Sequence, residues 1–135
     1  SRMEAALRES EARYHAIFES VSDGVFVETM DGRIVDANAS ACRMFGYNRD
    51  ELLGMTVANL VPEGARAWLP SVAEQIAARG RFQAEAVNVR KDGTRFPVEV
   101  SATSMELGND RLVVVVVLCA VLTSGSLQFA IGSID

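Results

Sequence analysis

Histidine is all but missing: the only one in the 135 residues is His15. Cysteine occurs twice, at Cys42 and Cys119, with no CxxC spacing. A structural zinc site needs four nitrogen or sulfur ligands, so no metal is expected. No disulfide framework is implied, and the two thiols read as buried side chains in a reducing cytoplasm. Basic charge is also short. The 13 Lys and Arg stand against 18 Asp and Glu, for a net charge of -5. A phosphate-binding surface needs a basic patch, so nucleic acid is not an expected partner. Long apolar runs are missing too. The longest, residues 112–122, falls well short of the roughly 20 residues that cross a bilayer as a helix, and its five consecutive valines favour a buried strand. No secretory leader opens the chain, and no direct membrane contact is expected. Ser1 in the place of an initiator methionine reads as the start of an excised fragment. No Ser/His/Asp set and no phosphate-cradling glycine loop is found, so no catalytic residue is assigned and an enzyme is not expected.

What is present suits one soluble domain with one core. The hydrophobic share of 49% against 23% charged residues argues against disorder. Residues 1–21 form an amphipathic flanking segment. Met3, Leu7, Ser10, Tyr14, Ile17 and Val21 recur at alternating spacings of four and three, a heptad seam with one polar member. The pattern fits pairing with a second copy, and it fits packing on the chain's own body. Two strands follow, 25–29 and 33–36, joined by Asp31-Gly32, which suits a two-residue hairpin turn.

The middle of the chain is helical. Asn38 stands where a side-chain oxygen can cap a helix running through Cys42 and Phe45. Asn48 and Glu51 have the spacing of a capping box, with Tyr47 and Leu52 at the positions of a hydrophobic staple. Residues 56–62 read as a connector with one helical turn. Residues 64–79 read as the longest helix of the body, with Ala65, Trp68, Leu69, Val72 and Ile76 as its apolar stripe. Pro70 requires that this helix start near Leu69 or kink there, and Gly80 is its stop. The last third is sheet. Strands 82–90 and 94–104 flank a second Asp-Gly turn, Asp92-Gly93. Phe96, Val98, Val100 and Ala102 alternate with Arg95, Glu99, Ser101 and Thr103, as in a half-buried strand. Pro97 suggests an edge or a bulge. The valine strand should lie centrally, covered on both faces. Five strands with segregated helices make an α+β architecture.

Four blocks, in order, resemble the PAS (Per-Arnt-Sim) sensor domain family of bacterial signal transduction. They are residues 14–27 (YHAIFESVSDGVFV), 32–38 (GRIVDAN), 45–54 (FGYNRDELLG) and 90–102 (RKDGTRFPVEVSA). The resemblance implies a five-stranded antiparallel sheet of order 2-1-5-4-3 with helices on one face. It places the domain core at 22–122. It also implies a sensor that binds a small molecule between sheet and helices, or a ligand-free dimerisation and interaction module. Such domains usually precede a histidine kinase, a diguanylate cyclase or a regulator, so a homodimer with a C-terminal effector domain is expected, in the cytoplasm.

Phe26, Phe45, Leu60, Trp68, Val72, Ile76, Phe82 and Val100 are the residues expected to line such a pocket or to fill it. The seam expected to pair is Met3, Leu7, Tyr14, Ile17 and Val21. Family haem sites need an axial ligand, and His15 sits on the flanking helix outside the pocket. Flavin photosensors carry a reactive cysteine in an Asn-Cys-Arg-Phe-Leu-Gln motif. Ala41-Cys42-Arg43-Met44-Phe45 is only superficially similar and follows the wrong cap. Neither cofactor is expected, and the resemblance leaves room for an unknown small apolar ligand. The chain departs from the family at its end. Val121-Leu122-Thr123 lacks the aspartate of the usual linking triplet, and residues 123–135 read as an atypical tail, foreign to the domain.

Overall fold

The valine run becomes the middle strand of an antiparallel sheet. The computed structural model describes residues 1–120. Its elements are α1 (Arg2–Ser20), β1 (Gly24–Thr29), β2 (Ile34–Ala37), α2 (Ala39–Phe45), α3 (Arg49–Leu52), two short 3-10 helices (Val57–Leu60 and Glu63–Trp68), α4 (Leu69–Arg79), β3 (Arg81–Val89), β4 (Arg95–Leu107) and β5 (Asp110–Cys119). The strand order is β2-β1-β5-β4-β3, and every neighbouring pair is antiparallel. This is the order that the resemblance implied. The atypical tail and the last residues of the expected core lie outside the described residues.

The alternation read in β4 is present: Phe96, Val98 and Ala102 are buried, while Arg95, Glu99 and Thr103 are exposed. In β5 the two faces differ. Val113, Val115 and Val117 are buried against the helices, but Val114 and Val116 are half-buried and Leu118 is exposed. The expectation of cover on both faces therefore holds for one face only, because the helices between β2 and β3 pack on a single side. That side holds a continuous cluster of Phe26, Ile34, Phe45, Leu52, Leu60, Ile76, Phe96 and the three inward valines.

One local expectation is corrected and two open ones are resolved. Both Asp-Gly turns are three-residue loops. Thr29 N–H donates to Arg33 O and Gly32 N–H to Thr29 O, and Arg90, Gly93 and Thr94 repeat the arrangement. Only the glycines take positive φ, at 88° each, so each turn is a type I turn closed by a glycine bulge, where a two-residue turn would need aspartate there too. The long helix also begins late. Residues 63–68 form a 3-10 helix, and α4 starts at Leu69 with Pro70 in its first turn. Proline fits there because a first-turn N–H has no intrahelical acceptor. Finally, Pro97 lies in β4, an interior strand. Its carbonyl accepts from Ala120 N–H on the β5 side, one residue beyond the last ladder pair, Val98 with Cys119. The missing N–H points the same way, so Pro97 sits at a local edge and removes no ladder bond.

Candidate functional site

The expected pocket residues divide into three groups. Phe26, Phe45, Leu60 and Ile76 are buried in the central cluster, and Val72, Phe82 and Val100 are half-buried against it. Trp68 does not join them and is 60% exposed. Trp68 stands at the N-cap of α4, one residue before the helix that carries Val72 and Ile76. Phe26, Phe45 and Phe96 form an edge-to-face chain, with centroids 5.3 and 5.2 Å apart. The Arg90 guanidinium lies 3.9 Å over the Phe96 ring and donates from Nε to Met44 O. These contacts tie the β3–β4 hairpin to the end of α2.

Glu28 shares the inward face of β1 with Phe26, a placement that the sequence reading passed over. Its ladder neighbours are Ile34 on β2 and Val113 on β5, both buried. The glutamate is itself only 6% exposed. No hydrogen bond or ion pair reaches its carboxyl among the described residues, and burial alone pushes its pKa up to about 8. No fully enclosed side-chain oxygen or nitrogen among the described residues lacks a partner. The unpartnered carboxyl oxygens of Glu28 are therefore not fully enclosed and keep a small accessible surface. The period-2 pattern carried the signal, since Glu28 falls in phase with Phe26.

A second constellation joins the flanking helix to the body. Asn38 is fully buried. Its Oδ1 accepts from Ala41 N–H, the expected cap, and from Val25 N–H, both at 2.9 Å. Its Nδ2 donates to Phe18 O at 3.1 Å and Asp23 O at 3.1 Å, with Val21 O at 3.5 Å. Ser40 Oγ also donates to Val21 O, and Glu19 accepts from Ala39 N–H. The end of α1, the start of β1 and the first turn of α2 thus meet at one side chain. Nearby, Asp36 accepts from the Tyr14 hydroxyl at 3.4 Å and from Arg49 Nη2 at 2.8 Å. Burial first, and then the Asp36 charge, hold the Tyr14 phenol above its ordinary pKa.

Along α1 the seam faces solvent. Met3, Leu7, Tyr14 and Ile17 are all exposed, and only Phe18 is buried. Phe18, which lies off the seam, stacks on Tyr14 at 5.4 Å and docks the last turn. Val21 has left the helix as its extended C-cap, so the seam ends at Ile17. His15 is exposed, against the Tyr14 edge and away from the pocket cluster. The expectation of two buried thiols is corrected: Cys42 is half-buried and Cys119, the last residue of β5, is exposed.

Comparison with known proteins gives one consistent picture. A family model described as PAS domain matches residues 22–121. The methyl sulfide methyltransferase-associated sensor of Methanosarcina acetivorans is 32% identical over 80% of this chain, which spans 11% of that protein. The sensor protein FixL of Bradyrhizobium diazoefficiens is 29% identical over 80% of the chain, which spans 22% of it. The crystal structure of the PAS domain of an HTR-like protein from Haloarcula marismortui superposes with a TM-score of 0.79 at 24% identity, covering 88% of this chain and 98% of that one.

Proposed function

This chain belongs to the PAS domain family, and from that premise we propose that it is the sensing and relay domain of a longer signalling protein. It binds a small molecule between the sheet and the helices, and it passes the change on through paired flanking helices. An effector such as a histidine kinase, a cyclase or a regulator follows it in the cytoplasm. The observation that supports this reading best is the Asn38 junction. One buried amide holds the end of α1, the start of β1 and the first turn of α2. Any shift of β1 or α2 around a ligand is then felt at the end of α1. The relatives named above are sensors many times longer than this chain, which fits a module joined to an output.

A second reading, a ligand-free pairing module, draws on the three phenylalanines that interlock in the core. Native mass spectrometry of the freshly purified protein separates the two. A dimer carrying the added mass of a small molecule supports sensing. A bare dimer supports the pairing module, and a bare monomer overturns both.

A further inference from the structure

Glu28 is an unusual residue to find on the inward face of a sheet. It is flanked by Ile34 and Val113 and shares its face with Phe26. A carboxyl in such a place is costly unless it is bonded, and a buried ion more so. Yet no partner reaches it among the described residues, and its oxygens are not fully enclosed. A second feature is the absence of compensating charge. Nothing but burial acts on its ionisation, so neither a cation nor an anion of the described chain stands close to it. An anionic ligand there would meet a carboxyl with no cation to offset it. A cationic ligand would complete a pair, and the surrounding apolar side chains would take its hydrocarbon part.

We propose that Glu28 is the polar anchor of the ligand site and that the ligand it takes is a small aliphatic amine. This rests on the reading above that a small molecule binds between the sheet and the helices. The proton balance is simple. A neutral amine takes the carboxyl proton and becomes the ammonium of an ion pair. An amine that arrives as ammonium displaces that proton to the solvent. With its pKa near 8, Glu28 is mostly protonated at pH 7, so binding of an alkylammonium releases close to one proton.

The test is calorimetry and thermal melting of the protein with n-alkylamines of three to six carbons, the matching 1-alkanols and the matching carboxylates. Wild type, Glu28→Gln and Glu28→Leu are compared in two buffers of different ionisation enthalpy. The expected result is that amines bind wild type with proton release, while carboxylates do not bind. Both variants should bind amines at least about 30-fold more weakly, the loss that goes with removing one partner of a buried pair. Glu28→Leu should still melt cooperatively, which separates lost binding from lost folding. Amine binding that is equal in wild type and Glu28→Gln overturns the anchor. Binding of alkanols without amines overturns the amine assignment but leaves a sensor pocket standing. No binding of any series overturns this proposal, and the native mass spectrum then decides the broader reading by itself.

Discussion

At the scale of single residues, Asn38 shows how far a local pattern reaches. The sequence places it before a helix, and the cap to Ala41 is there. The bonds to Phe18, Val21 and Asp23 lie 15 to 20 residues away in sequence, and no local rule reports them. A surface N-cap loses about 1 kcal/mol on truncation. Asn38→Ala leaves two buried N–H donors and the carbonyls of the α1–β1 linker without their partner, so the expected loss is about 3 kcal/mol or more. Urea denaturation checks it, and a loss near 1 kcal/mol would mean that the cap alone matters. Glu28 gives a second prediction. Its pKa is about 8 in the fold against 4.5 in the free chain. The protonated form is the one the fold tolerates, so its contribution is intact below about pH 4.5 and is lost as the pH rises towards 8. The full swing is on the order of 5 kcal/mol. Between pH 5 and pH 8 the stability of wild type should therefore fall relative to Glu28→Gln. Stability curves that run parallel over this range would contradict the burial of an unpaired carboxyl.

At the scale of elements, most of the chain was legible because its signals are local. Capping residues, the Asn48–Glu51 box and the alternation in β4 all stand where their side chains predict. What was missed depends on geometry between elements. The stripe assumed one helix, but Ala65 lies in the 3-10 segment and Trp68 at the N-cap of α4. The Asp-Gly pairs announced turns but not their length, since one positive φ or two depends on how the strands register. The two turn glycines also differ in surroundings. Both have φ of 88°, but a Cβ on Gly93 meets nothing within 4 Å, while one on Gly32 comes to 2.9 Å from Val57 Cγ1. Gly93→Ala should cost about 1 kcal/mol for the backbone alone. Gly32→Ala should cost clearly more, because the Val57 side chain must also give way. Denaturation midpoints of the two variants rank them, and equal losses would mean that Val57 moves freely.

At the scale of the whole molecule, the fold leaves α1 incompletely covered. The helix has 19 residues, and helices in proteins draw most of their stability from packing an amphipathic face. Only Phe18 is buried, whereas Met3 is 83% exposed and Leu7 and Ile17 are each 61% exposed. Met3, Leu7 and Ile17 of the seam are thus left uncovered by the described residues, while Tyr14 reaches Asp36 and Val21 lies outside the helix. A second copy presents the same seam, and a two-fold contact is self-complementary by construction. Burying a leucine contributes about 1.5–3 kcal/mol per site, and a two-fold interface counts it twice. The most direct test of the paired-helix account is light scattering of wild type and Leu7→Glu across a concentration series. The account predicts a wild-type dimer and a variant that dissociates at concentrations where wild type stays paired. Two monomers, or two equally tight dimers, would contradict it.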